Sequence, residues 1–159
     1  MENISKFKRM KYEYYIASRM RNKECVEKLT QKIREKGKKV YSFLEGESND
    51  DEIIITNEEL TPEEFMNKFE NILDWVNDPQ VRRIFEIDMT ALKNSQKLIL
   101  LPAGKSAHVE AGVVYGMGKH CIVIGEQPEA ESLYLIINEF YNSIDDLMAT
   151  LHNEQMDNI

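Results

Sequence analysis

Apolar and polar positions fall into short alternating blocks along the chain. Residues 12–18 (YEYYIAS) are brief, aromatic-rich and apolar, which predicts a buried strand. Over residues 22–36, Val26, Leu29 and Ile33 recur at helical spacing, and Gly37 supplies a C-terminal stop. Residues 39–44 (KVYSFL) predict a second strand, so the default geometry is a parallel βαβ unit with a right-handed crossover. Residues 45–60 form a polar, acidic stretch interrupted by the β-prone III at 53–55, which reads as a flap or a short edge strand. Thr61, Pro62, Glu63 and Glu64 then make a strong helix start: a cap, a first-turn proline and acids at the positive end. That helix is expected to carry Phe65, Phe69, Ile72, Leu73 and Val76. Asp78-Pro79 breaks it, and a second helix is predicted over 79–93, with Val81, Ile84, Phe85, Asp88 and Leu92 on one face.

Residues 97–101 (KLILL) are almost wholly apolar, as a central parallel strand requires. A turn leads from them into a helix over 107–117. GKHCIVIG at 118–125 predicts another strand, SLYLII at 132–137 a further one, and 143–151 a capped amphipathic helix. This alternation gives an α/β class: a doubly wound, mainly parallel five-stranded sheet with helices on both faces, flavodoxin- or Rossmann-like, as a single domain over 1–159.

Composition narrows the partners more than the fold. With 159 residues, 42% of them apolar, the chain can bury a core without disulfides or metals. A net charge of −8 repels nucleic acid polymers and anionic membranes, yet leaves room for a small anionic ligand held by local donors. The two cysteines, Cys25 and Cys121, form no CxxC pair, and each is expected to be a reduced, buried thiol. The charged start of the sequence and the lack of a long apolar run predict a cytoplasmic protein.

In an open parallel sheet, ligands bind beyond the carboxyl ends of the strands. Two polar segments leave strands there, Ala17 to Asn22 and Pro102 to Glu110. Gly104 allows close backbone approach, Lys105 and Ser106 add a charge and a hydroxyl, and the next helix points its dipole at the site. Glu110 falls in the first turn of that helix. Spacing alone favours a dipole-stabilised capping acid over a functional one. Asp88 interrupts an apolar stripe between Ile84 and Leu92, which is costly unless the acid is paired, functional or at the stripe's border. His108 suits a local hydrogen bond better than a general base. Tyr15 and Trp75 fit either a base-stacking role or the core, and Arg82-Arg83 a solvated face. No zinc-like spacing, GxxxxGK[ST] or GxGxxG is present, so neither a metal nor a cofactor is expected.

The segments YYIASRMRN (14–22), KKVYSF (38–43) and DMTALKNSQKLILLPAGKSAHVEAGVVYGMGKHCIVI (88–124) resemble the nucleoside 2-deoxyribosyltransferase superfamily, which includes deoxynucleoside-monophosphate N-glycosidases. The resemblance spans most of the chain outside 45–77. It implies that Glu110, in an E-x-G segment, attacks C1′ of the sugar, and that Asp88 orients it or handles protons. It implies further that Gly104, Lys105 and Ser106 meet sugar hydroxyls or phosphate. Ser18, Arg19 and Asn22 would line the same pocket, with Tyr15 and His108 as further ligand contacts. Relatives that borrow pocket residues from a neighbouring subunit imply a homo-oligomer. Three functions follow: an enzyme cleaving or exchanging the N-glycosidic bond of a nucleoside or its monophosphate, a noncatalytic nucleotide-binding module, and a TIR-like NAD glycohydrolase.

Overall fold

The computed structural model describes residues 10–45, 60–101, 104–127 and 129–152. Nearly all of the acidic stretch at 45–60, with its III, lies outside these residues, as do Pro102 and Ala103. Five strands build one sheet: β1 (Tyr12–Ala17), β2 (Val40–Ser42), β3 (Ser95–Leu100), β4 (His120–Ile124) and β5 (Glu139–Tyr141). Their order is β2-β1-β3-β4-β5 and every pairing is parallel. The helices are α1 (Lys23–Glu35), α2 (Pro62–Glu70), α3 (Pro79–Lys93), α4 (Lys105–Gly116) and α5 (Ile144–Thr150). Strand order reverses between β1 and β3, which creates a crevice at their carboxyl ends.

Period-two alternation sorts the strand side chains into two cores. Tyr14, Ile16, Ile99, Ile122 and Ile124 face α1 and α5, where Val26, Leu29, Ile33, Leu147 and Met148 meet them. On the other face Tyr15, Ala17, Tyr41, Leu98, Leu100, Cys121 and Val123 pack against Ala91 and Leu92 of α3 and Ala107, Ala111 and Val114 of α4. Tyr15 pairs in register with both Tyr41 and Leu98. The two phenol rings therefore lie side by side, with centroids 5.0 Å apart and planes 23° from parallel.

Local chemistry sets the helix ends. Gly37 adopts φ 77°, the left-handed conformation that ends α1. Thr61 and Glu64 form a reciprocal capping box, with Glu64 N–H donating to Thr61 Oγ1 at 3.2 Å and Thr61 N–H to Glu64 Oε2 at 3.0 Å. Asp78 accepts from the backbone of Gln80 and Val81, and Ser143 from Asp146.

Four expectations need correction. The segment 132–137 is not a strand: Ser132–Ile136 is a 3₁₀ turn, capped by Glu131, that leaves Leu133 and Leu135 exposed. The fifth strand is the short EFY at 139–141. The helix from Thr61 stops at Glu70, so Leu73 is fully exposed, and Trp75, 60% exposed, is not a core residue. Cys25 is exposed on the outer side of α1, whereas Cys121 is buried as expected. Among the described residues, no helix is long and apolar enough to cross a membrane.

Candidate functional site

The crevice at the switch point holds a cavity of about 170 Å³. Ser18, Arg19 and Met20 line it from the segment after β1, and Phe43 from the end of β2. Helix α2 contributes Phe65, Met66 and Phe69, α3 contributes Ile84 and Asp88, and α4 contributes Ser106 and Glu110. The wall from α2 is thus apolar, while the two carboxyls and the serine hydroxyls come from other elements.

Helix α4 begins at Lys105, with Gly104 as its cap residue, so Glu110 is in the second turn. The capping-acid reading of Glu110 fails on this geometry, and no side chain caps this helix end. The side chain turns instead toward the sheet. There the Tyr15 hydroxyl lies beside both Glu110 and Asp88 and interacts with each. Asp88 also accepts a bond from the Tyr41 hydroxyl at 3.3 Å on Oδ1. Asp88 is therefore paired, and half-buried where it meets the cleft. The four groups form a chain from Tyr41 through Asp88 and Tyr15 to Glu110.

Both acids lie above the ordinary carboxyl range. Burial pushes Glu110 up to about 8, helped by the charge of Asp88 and opposed by the Tyr15 bond. Burial likewise pushes Asp88 up to about 6, while the Tyr41 and Tyr15 bonds act against it. Burial first, and then the neighbouring acids, hold both phenols well above the usual tyrosine value. A phenol has one hydrogen to donate. With Tyr15 beside two carboxyls, its single hydrogen can serve only one of them at a time.

The other expected residues divide. Ser18, Arg19 and Ser106 line the cleft, and Asn22 stands behind it, donating from Nδ2 to Ser18 Oγ at 3.1 Å. Gly104, Lys105 and His108 are not among the lining residues. Gly104 has an ordinary extended conformation, and a β-carbon there would meet nothing within 4 Å. His108 Nδ1 bonds to the Gly104 carbonyl at 3.1 Å, and its ring stacks on Tyr134. Trp75 is absent from the cleft lining.

Sequence reasoning overlooked Phe43, Phe65, Met66, Phe69 and Ile84 as site residues, and Tyr41 as the partner of Asp88. The usable signal was α2 itself, whose aromatics form an apolar face although none of its residues is buried. An ionic clamp holds this helix over the site. Arg21 forks onto Glu63 at 2.5 and 3.0 Å and approaches Glu70 at 3.6 Å. Among the described residues, no group of three or more His, Cys, Asp and Glu is placed to hold a metal.

No protein-family model matches the chain, and no curated protein matches it in sequence. Its architecture does have a counterpart. The 2-deoxyribosyltransferase of the psychrotolerant bacterium Bacillus psychrosaccharolyticus aligns over 88% of this chain and 96% of its own, with a TM-score of 0.58 and 16% identity. The chain has the 2-deoxyribosyltransferase fold. That enzyme is described as a biocatalyst for the synthesis of antiviral and antitumoral nucleosides. In the 2-deoxyribosyltransferase fold as built here, the crevice between β1 and β3 is the place where Asp88 and Glu110 meet.

Proposed function

We propose that this protein cleaves or exchanges the N-glycosidic bond of a nucleoside or nucleoside monophosphate, with Glu110 as nucleophile and Asp88 as proton donor. The observation that carries the reading is the pair of half-buried carboxyls, set beside Tyr15, in the lining of a cleft with one apolar wall. Rupture of the bond between C1′ and the base nitrogen builds positive charge on the sugar, which a carboxylate stabilises or captures. Pairs of acids whose surroundings separate their proton affinities suit the two roles.

A single proton shared between the two acids supplies both forms at once. When it passes from Glu110 through the Tyr15 hydroxyl to Asp88, Glu110 becomes a carboxylate and Asp88 an acid. A Glu110 oxygen then bonds C1′ as the C1′–N bond breaks, and the Asp88 proton goes to the departing nitrogen. Water or a second base next attacks C1′, returns its proton to Asp88 and releases Glu110. Water gives hydrolysis and a base gives transfer. The apolar wall of Phe65, Met66, Phe69 and Ile84 supports a planar base by dispersion and exclusion of water. Arg19 and Ser18, at the polar side, suit the sugar or a 5′-phosphate.

The test is chromatographic detection of free base from a panel of nucleosides, their monophosphates and NAD, with and without an acceptor base, beside Glu110→Gln. Release that disappears in the variant supports the proposal, and the acceptor arm separates transferase from hydrolase. Nicotinamide release from NAD alone would favour a NAD glycohydrolase. Binding without turnover across the panel would overturn the enzymatic reading in favour of a nucleotide-binding module.

A further inference from the structure

Tyr41 is 2% exposed and its ring lies on the same sheet face as Tyr15, fixed there by the β1–β2 register. Its hydroxyl donates to Asp88 Oδ1 at 3.3 Å. Tyr12 meets the Tyr41 ring edge-on at 5.5 Å, so the ring is held on two sides. A phenol this buried needs a partner for its hydrogen, and the partner it has is the acid proposed to serve as proton donor. Tyr41 is absent from the cleft lining and so does not touch a ligand there.

Resting on the assignment of Glu110 and Asp88 above, we propose that Tyr41 is a positioning residue that sets which of the two carboxyls holds the shared proton, through its hydroxyl bond to Asp88. A donor aimed at a carboxylate favours the ionised form. Tyr41 therefore biases the resting site toward an ionised Asp88 and a protonated Glu110. The groups facing Asp88 are Tyr41 from β2, Tyr15 from β1 and Glu110 from α4, and Arg19 is the cation among the residues lining the cleft. Tyr15 lies beside both acids and can give its one hydrogen to either. Tyr41 bonds only to Asp88 and adds a bias on that side of the pair. The rigid strand pairing makes this bias a fixed property of the fold and independent of ligand.

The experiment is a pH titration of the Asp88 and Glu110 carboxyl carbons by ¹³C NMR in wild type, Tyr41→Phe and Asp88→Asn. Tyr41→Phe keeps the stacked ring and removes only the donor. The expected result is a rise in the Asp88 midpoint of about one pH unit, with the proton moving off Glu110 toward Asp88. An Asp88 midpoint that stays in place in folded Tyr41→Phe protein overturns the proposal. Should the variant melt early, the wild-type Tyr41 Cζ carbon provides the second measurement. It must shift as Asp88 titrates and lose that response in Asp88→Asn, and a flat trace in wild type overturns the proposal equally. Turnover adds a third reading: the acid limb of the kcat profile moves to higher pH, while KM holds. The NMR titration needs no activity. A moved midpoint in a protein that releases no base therefore supports the Tyr41 coupling while rejecting the glycosidic function.

Discussion

Glu110→Gln should make the protein more stable, and only above mildly acidic pH. The wild-type carboxyl rises from 4.5 in the open chain to about 8 in the fold, burial being the larger cause and Asp88 the smaller. Between those values the folded state holds a proton that the unfolded chain has released, so stability falls as pH rises. The loss begins near pH 4.5 and is complete once pH has passed about 8. Each pH unit is worth about 1.4 kcal/mol, which sets a ceiling of ~5 kcal/mol. Glutamine keeps the size and an acceptor for Tyr15, yet residual solvent contact and the coupled proton on Asp88 absorb part of that figure. The variant should therefore gain ~2–3 kcal/mol at about pH 9, or roughly 5–10 °C in Tm for a chain of this length. Thermal melts followed by far-UV circular dichroism from about pH 4.5 to about pH 9 read the effect directly. A gain of equal size at both ends, or a lower Tm at high pH, would refute the burial argument.

Two further outcomes follow from the cleft wall. Phe65→Ala should raise KM for the best substrate of the panel on the order of tenfold with little change in Tm, because no residue of α2 is buried. An unchanged KM would remove Phe65 from the binding wall. Arg21→Gln should speed amide hydrogen exchange over residues 62–70, and high salt should reproduce that effect in the wild type. Exchange confined to wild-type rates in the variant would show that the helix does not depend on the Arg21 clamp.

The sheet was legible wherever burial on both faces wrote a continuous apolar run, as in 12–18, 97–101 and 118–125. It was least legible at its edge. SLYLII carries more β-branched and apolar residues than EFY, yet Glu131 caps a 3₁₀ turn there, and that turn directs Tyr134, Ile136 and Ile137 inward while Leu133 and Leu135 face outward. Three residues of an edge strand are too few for periodicity to register. Apolar spacing also carried the second helix past its end, since Ile72, Leu73 and Val76 continue the α2 pattern without a core to bury them. At the site, Asp88 was visible as an acid on an apolar stripe. Glu110 needed the resemblance, because its spacing alone suggested a cap. Tyr41 left no trace, since a tyrosine in a strand looks like core until the neighbouring helix places a carboxyl against its hydroxyl.

Helix α2 is a full wall of the cleft and yet contributes nothing to either core. Substitutions on its inner face are thus shielded from the selection that keeps the sheet folded. Under the proposed function, exchange of Phe65, Met66 or Phe69 would alter the aglycone accepted, while Tyr15 and Tyr41 stay tied to the packing of the strands. Under that same proposal, substrate range is the property most open to evolutionary change or to engineering.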